Sequence, residues 1–245
     1  MFPGGGLYFW WQLGAVERLR EEDGAPVGDV VGASAGALAA VLYLCDVDGR
    51  AARELALDLT VESGRILGRG AWGLVGNWGP VVRRWLEELL PEDAAERCAR
   101  ARLLHLRRRR WRIERAAAGP FADRDDVVDA ALASAHVPLA LDGRLFARYG
   151  GRRVIDGSFR LKDPARERRA VARAVGRDDP DYVRVDWRAS IPDKGKLTDA
   201  FELPGQSAPE IAAWLDATTA RGYAWADARL APGGALEGFR GTNVS

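Results

Sequence analysis

Residues 27–44 read VGDVVGASAGALAAVLYL, and they combine a strand pattern, a serine among small residues and a helix pattern. Residues 27–31 are mostly apolar and β-branched, which predicts a short buried strand. The residues after Ser34 are rich in Ala and Leu, which predicts a buried helix. A strand that turns directly into a helix at the pattern G-x-S-x-G is typical of a nucleophile elbow.

The serine at the centre of this pattern is the first candidate for a catalytic residue. Gly32 and Gly36 flank Ser34 together with two alanines, and such small neighbours allow the strand and the helix to pass closely. The partial positive charge at a helix start favours a developing alkoxide. The pattern alone is weak in a chain rich in Ala and Gly, but its strand–helix context favours Ser34 as a nucleophile.

Three consecutive glycines, Gly4, Gly5 and Gly6, precede a segment with helix-compatible spacing. Their amide N–H groups can point at one anion, because glycine adopts conformations that other residues avoid. The segment is not a phosphate loop, since no Lys follows, and it is not a dinucleotide fingerprint, since Phe9 stands where the third glycine would be. A flexible turn remains an open interpretation of the triplet alone. Beside the serine pattern, the triplet favours an oxyanion hole.

A candidate acid follows a second short strand pattern. Residues 152–155 predict a strand, and Asp156 with Gly157 ends it where ligands usually bind in α/β sheets. An Asp-Gly pair is also a common turn, so the catalytic interpretation depends on the need of Ser34 for a base.

The two histidines offer a different base. Acidic residues within 123–129 precede His136, so a Ser…Asp…His order is open. However, His136 directly follows the helix pattern of residues 125–133, which favours a role in ending and packing that helix. His105 lies in the strand-like run of residues 103–106 and is expected to be structural.

Taken together, segments 4–6, 32–36, 133–138 and 156–158 resemble the motifs of the patatin-like phospholipase family, in the same order and with similar separations. The resemblance implies an α/β fold, namely a three-layer α/β/α sandwich with a mostly parallel central sheet. It also implies the hydrolysis of lipid acyl esters by a Ser-Asp dyad, with no calcium in the catalytic step.

For individual residues, the resemblance implies that Ser34 is the nucleophile and that Asp156 is its base partner. The resemblance also implies that the amides of the glycine triplet and of Leu7 form the oxyanion hole. The implied activity is that of a serine carboxylic-ester hydrolase of the phospholipase A or acylglycerol lipase type, acting through an acyl-enzyme; an alcohol could replace water as the acyl acceptor. Two alternatives stay open: a catalytically inactive lipid-binding protein with the same fold, and an esterase that depends on His136.

The chain departs from the family pattern in two places. Residues 7–9 are Leu, Tyr and Phe, where many members carry a Lys or Arg just after the glycines. Residues 1–3 leave almost no room for the strand that usually precedes the glycines. We therefore expect a very short first strand and a poorly anchored glycine loop.

Composition predicts one globular domain. The chain has 245 residues, 47% apolar and 29% charged, which is ordinary for a folded protein. We assign residues 1–231 to an acyl hydrolase domain and residues 232–245 to a C-terminal tail. Two cysteines are too few for a disulfide framework and fit a reducing compartment. No cofactor and no metal are expected.

The expected partner is a lipid substrate, with possible peripheral contact with a membrane or lipid droplet. A net charge of +1 gives no reason to expect nucleic acid binding.

Because residue 1 leads straight into the glycine loop, we expect no signal peptide, and we expect a cytoplasmic or peripheral membrane location. The longest apolar run is too short to span a bilayer.

Two surface patterns are ambiguous. The arginines of residues 107–110 could meet phosphate head groups, but a solvated face is the simpler interpretation of such a charge run. The aromatic residues 8–11 could line an acyl pocket or enter a lipid interface. Helix packing must bury about half of that group in either case, so one or two of its members remain candidates.

Overall fold

The computed structural model describes residues 1–23, 28–69, 71–109, 112–159, 161, 163–191, 207–234 and 236. The described helices are α1 (Phe9–Asp23), α2 (Ala35–Leu44), α3 (Gly49–Glu62), α4 (Ala71–Leu74), α5 (Trp78–Leu89), α6 (Ala94–Arg97), α7 (Arg124–Ser134), α8 (Pro164–Val175) and α9 (Ala208–Leu230). The described strands are β1 (Val30–Ala33), β2 (Ala101–Arg109), β3 (Arg112–Ala118), β4 (Ala147–Tyr149) and β5 (Arg152–Asp156). Short 3₁₀ turns cover Gly6–Tyr8, Cys98–Arg100 and Trp187–Ala189.

The sheet is mixed, so the expectation of a mostly parallel sheet is not confirmed. Among the described strands, β1 pairs with β2 in parallel, whereas β3 and β5 pair with β2, and β4 with β5, in the antiparallel sense. The antiparallel pairing of β4 with β5 has a local reason. Gly150 and Gly151 have φ values of +54° and +72°, which allow a tight two-residue hairpin between β4 and β5. Strands joined by so short a connection can pair only in the antiparallel sense.

The pairing along β2 brings two strand ends together. β3 occupies one edge of β2 over residues 103–109, so β1 and β5 must share the other edge. β1 ends with Ala33 opposite Leu104, and β5, running the opposite way, ends with Asp156 opposite His105. The last residues of β1 and β5 therefore face adjacent residues of one strand. This is the feature that positions the site.

Helices contact both faces of the sheet, but unequally. Val31, Ala33 and Leu104 belong to a small apolar cluster with two buried side chains of α8. Val30 and Leu103 belong to a large cluster that includes side chains from α1, α2, α3, α5, α7 and α9. Alternate residues of a strand point to opposite faces, which explains the division. A mixed α/β fold is established, whereas a complete three-layer sandwich is not confirmed.

The start of the chain is firmly held, contrary to the expected loose anchoring. The Phe2 amide donates to Val31 O at 2.8 Å, and the Ala33 amide donates to Phe2 O at 3.1 Å. Buried Gln12 donates from Nε2 to Pro3 O at 2.7 Å. A single parallel bridge between Phe2 and Gly32 takes the place of a first strand, as its predicted shortness implies. Of the predicted tail, residues 235 and 237–245 lie outside the described part of the chain.

Helices α1 and α9 cross in contact at two glycines. A methyl group at Gly14 would lie 1.9 Å from Thr219 O, and one at Gly222 would lie 1.8 Å from Trp11 O. Because backbone occupies both positions, neither helix can accept a larger residue without moving.

We expect Gly14→Ala to lower the free energy of unfolding by about 1–3 kcal/mol, because forced overpacking outweighs the roughly 1 kcal/mol gain in helix propensity. Urea unfolding measures the change. Gly28→Ala is the matched control, since a methyl group there meets nothing within 4 Å. Equal stability of the two variants would contradict the close crossing.

Candidate active site

Ser34 occupies a strained turn between β1 and α2. Its φ of 57° and ψ of −131° are unusual for a residue with a side chain. Its amide donates to Ser134 Oγ at 3.0 Å, and the same hydroxyl donates to Leu104 O at 2.6 Å. Ser134 thus ties the turn to the central strand, which offsets part of the cost of the strained backbone.

The glycines around Ser34 are required by close backbone contacts. A methyl group at Gly36 would lie 2.1 Å from Phe2 O, and one at Gly32 would lie 2.6 Å from Gly36 O. The small residues of the G-x-S-x-G pattern therefore let the chain start, the strand and the helix meet at one point, as a nucleophile elbow requires.

The structure brings Ser34 and Asp156 into direct contact. Ser34 Oγ donates to Asp156 Oδ2 at 2.5 Å, and both side chains are buried. The other carboxylate oxygen, Oδ1, accepts from the Ser158 amide at 2.7 Å and from Ser158 Oγ at 2.6 Å. Both oxygens of the carboxylate therefore have donors, which fixes its orientation toward the serine.

Burial raises the pKa of the Asp156 carboxyl above its ordinary value, because the charged form loses hydration. Hydrogen bonds from Ser158 and Ser34 oppose this rise by stabilising the carboxylate. Burial is the larger effect, so Asp156 is a stronger base than a solvated Asp.

The glycine loop lies against the candidate dyad. A methyl group at Gly4 would lie 3.1 Å from Ser34 Cβ and 2.5 Å from Ser158 Cβ. Gly5 is packed equally closely against the indole of Trp187. Among the described residues, the amides of Gly4 to Leu7 donate to no backbone acceptor. The lack of a backbone acceptor is compatible with an oxyanion hole, and that role stays a prediction.

Neither histidine contacts Ser34. The His136 ring lies with Nε2 3.2 Å from Arg144 O and Nδ1 3.8 Å from Asp142 Oδ1, and its backbone carbonyl accepts from the Asp156 amide at 2.8 Å. His136 follows the end of α7 and is fully buried, as its position after the helix pattern suggested. His105 is buried in β2, and burial lowers its pKa to about 4.

Three residues that position the site were not identified from the sequence. Ser134 and Ser158 lie within the quoted motifs, but their roles depend on which strands pair. Trp187 comes from a distant turn and donates from Nε1 to Gly4 O at 3.4 Å. Motif spacing gives no signal for a contact of that kind.

The described residues contain neither a candidate metal site nor a candidate membrane-spanning helix. No group of three or more His, Cys, Asp or Glu side chains is arranged to hold a metal ion. No described helix has the length and apolar content needed to cross a bilayer.

The two Ser158 hydrogen bonds give a prediction for pH dependence. Ser158→Ala removes one donor to the charged carboxylate, so we expect the pKa of Asp156 to rise further. If ionised Asp156 is the base, the acidic limb of the kcat/KM profile moves to higher pH. A pH–rate series with a soluble ester measures this shift. Exposed Ser190 makes no side-chain contact with Asp156, so Ser190→Ala should keep the wild-type profile; an unmoved limb in Ser158→Ala would contradict the assignment.

One comparison with known proteins agrees with these motifs. A family model described as patatin-like phospholipase matches residues 1–168, which include Ser34, Asp156 and the glycine loop. No curated protein matches the chain.

Proposed function

The chain belongs to the patatin-like phospholipase family, and on that premise we propose that it hydrolyses the carboxylic esters of lipids through an acyl group on Ser34. The observation on which this proposal chiefly rests is the 2.5 Å hydrogen bond between Ser34 Oγ and Asp156 Oδ2. It joins a nucleophile on a strained turn to a buried base, and no third side chain is needed to connect them.

In the first half of the reaction, Ser34 Oγ attacks the ester carbonyl carbon and passes its proton to Asp156 Oδ2. The negative charge that forms on the carbonyl oxygen is stabilised by amides of the glycine loop. Each such donor contributes about 3–4 kcal/mol in a well-studied protease. The tetrahedral intermediate then collapses, and the departing alcohol takes the proton from Asp156.

In the second half, water attacks the acyl group on Ser34 and gives its proton to Asp156. The fatty acid leaves as Ser34 Oγ recovers that proton. A carboxylate is a weak base for this task, so the raised pKa of Asp156 is part of the proposed mechanism. Ser158 keeps the carboxylate oriented through both halves.

An apolar recess beside the glycine loop is the proposed acyl site. Its volume is about 40 Å³, and it is lined by Gly6, Leu7, Phe9, Trp10, Leu38, Ala56, Trp78, Val81, Val82 and Trp85. Leu38 lies one helical turn after Ser34, which relates the recess to the nucleophile. The lining side chains are mainly apolar, and a volume only slightly above the roughly 30 Å³ of one water suits the first carbons of an acyl chain.

The aromatic residues 8–11 divide between this recess and the core. Phe9 and Trp10 line the recess. Tyr8 stacks on Trp187 with ring centroids 4.3 Å apart, and Trp11 packs against Trp225. All four side chains are buried, so of the two expectations the acyl pocket fits the structure better than the lipid interface.

Neither alternative function gains support from a particular observation. The His136 ring has other partners, so His136 is a poor candidate for the base. An inactive lipid-binding protein would have no need of the Ser34–Asp156 contact or of unpaired amides in the glycine loop.

The proposal is tested by fatty acid release from phosphatidylcholine and triacylglycerol, with a calcium chelator present throughout. The Ser34→Ala protein, prepared in the same way, gives the background from contaminating lipases. We expect release from at least one substrate well above that background. A folded wild-type protein that releases no fatty acid from these lipids or from simple esters would overturn the proposal.

Filling the recess should select against longer acyl chains. Ala56→Leu adds three carbons to the recess in which the acyl chain is proposed to bind, and so displaces part of that acyl chain. Each methylene of the acyl chain that is no longer buried loses about 0.8 kcal/mol of binding free energy. We expect kcat/KM for an octanoate ester to fall at least about tenfold relative to an acetate ester. Ala51→Leu adds the same group at an exposed position of α3 and should leave the ratio unchanged. An unchanged ratio in Ala56→Leu would contradict the acyl assignment.

A further inference from the structure

A second pocket lies between α8 and the β2–β3 hairpin. Its volume is about 250 Å³, several times the roughly 30 Å³ that one water occupies in the liquid. The lining contains four arginines, Arg115, Arg166, Arg169 and Arg173. The remaining lining residues are small or apolar, namely Leu104, Ala116, Ala117, Ala170 and Ala174. None of the nine lining residues is acidic, so the pocket is strongly electropositive.

The spacing along α8 puts three of these arginines on one face. Arg166, Arg169 and Arg173 recur at intervals of three and four residues, which is the period of a helix surface. Arg115 approaches from β3 on the other side and is held in place by its own contacts. Its Nε donates to Gly157 O at 3.2 Å, and its guanidinium also donates to Phe159 O.

Two arginines of the pocket, Arg169 and Arg173, lack the acidic partners that Arg168 and Arg184 have. Arg168, on another face of α8, pairs with Asp179, and Arg184 pairs with Glu167. Within the described part of the chain, Arg169 and Arg173 form no ion pair and no side-chain hydrogen bond. Arg166 has a single exposed contact with Asp163 at 3.4 Å, and exposed pairs of this kind contribute little.

The electrostatic state of Arg115 supports the same view. Its pKa is lowered first by burial and then by the positive charge of Arg166. The two guanidinium groups therefore repel one another, and the attraction of Arg115 to the Asp156 carboxylate, which lies outside the lining, opposes this effect. A bound anion would relieve this repulsion.

We propose that this pocket binds a phosphate ester group, held by the guanidinium groups of Arg115, Arg166, Arg169 and Arg173. Planar guanidinium groups match phosphate oxygens in bidentate geometry, and the small alanines leave room for the group that the phosphate esterifies. The proposal does not depend on hydrolase activity.

The arginine run noted in the sequence is a weaker candidate. Arg107 and Arg109 both pair with Glu114 across the β2–β3 hairpin, which fits the solvated face that the sequence suggested. Arg108 has interactions of its own, and Arg110 lies outside the described residues. Arg107 and Arg109 therefore already have an acidic partner, which Arg169 and Arg173 of the pocket lack among the described residues.

The test compares a soluble phosphate ester with a lipid head group. Glycerol 3-phosphate is titrated by calorimetry, and vesicles of phosphatidylcholine with or without phosphatidate are used in flotation. All proteins carry Ser34→Ala, so no lipid is consumed. Arg169→Gln with Arg173→Gln removes two pocket charges. The control variant is Arg168→Gln with Arg177→Gln. It removes one charge from α8 and one just after its end, and neither residue lines the pocket.

We expect the pocket variant to raise the Kd for the bound phosphate at least about tenfold, and the control variant to change it less than threefold. Binding of glycerol 3-phosphate identifies a soluble ester as ligand, and binding only to phosphatidate vesicles identifies a lipid head group. Either result supports the site if the pocket variant weakens binding and the control variant does not. No binding in either arm, or equal weakening in the two variants, overturns it.

Discussion

Replacing Asp156 with Asn is expected to lower kcat/KM for ester hydrolysis by about 10²- to 10⁴-fold while the protein stays folded. The amide can still accept the hydrogen bonds of Ser158 through Oδ1, so the turn should keep its geometry. It cannot accept the proton of Ser34, which leaves the serine without a base. Steady-state kinetics with a soluble ester, together with circular dichroism, measure both parts of the prediction.

The matched control is Asp163→Asn, the same chemical change at an exposed residue. Asp163 accepts from the Ala165 amide at the start of α8 and has no contact with Ser34. Because Asn is as good a helix cap as Asp, we expect activity and stability to stay near those of the wild type. Activity of Asp156→Asn within a few-fold of the wild type would show that Asp156 is not the base.

Replacing Ser34 with Ala is expected to reduce ester hydrolysis by at least about 10⁴-fold, to the level of background. The change removes the proposed nucleophile but keeps a Cβ at the same backbone conformation, so the strain of the turn should be unaltered. Urea unfolding should give a midpoint close to that of the wild type. Ser63→Ala removes a hydroxyl that donates to Thr60 O and accepts from the Arg65 amide, with no contact to Ser34, and should retain full activity.

The decreases in the rate of ester hydrolysis caused by Ser34→Ala and Asp156→Asn should not be additive. If Ser34 and Asp156 act as one unit, the double variant should hydrolyse esters no more slowly than Ser34→Ala alone. Residual hydrolysis in Ser34→Ala that falls further on adding Asp156→Asn would indicate a different nucleophile.

The local part of the site was predictable from the sequence. The elbow needs small residues, a strand before Ser34 and a helix after it, and each of these leaves a pattern within about ten residues. α2 covers the predicted helix, whereas β1 (Val30–Ala33) begins three residues later and ends two residues later than the strand predicted over residues 27–31. The glycine loop and the strand that ends at Asp156 are local patterns of the same kind.

The non-local part was not predictable. β4 is three residues long and gives too weak a pattern, so the antiparallel β4–β5 hairpin was missed. Which residues of β2 lie opposite Ala33 and Asp156 depends on register, and register is set by packing across the whole sheet. The roles of Ser134 and Ser158 follow from that register.

The arginine pocket was not predictable from the sequence for the same reason. Arg115 and Arg166 are separated by about fifty residues and meet only because α8 packs against β3. In the sequence, the arginines of α8 resemble an ordinary solvated face. The lack of an acidic partner for Arg169 and Arg173 became visible once the neighbouring pairs, such as Arg184 with Glu167, were placed.

The most direct measurement is the reaction of the native protein with a fluorophosphonate, followed by mass spectrometry of the labelled peptide. We predict one adduct, on the peptide that contains Ser34, formed rapidly in the wild type and much more slowly in Asp156→Asn. A folded protein that remains unlabelled, or that carries its adduct on another serine, would contradict the assignment of Ser34 as the activated nucleophile.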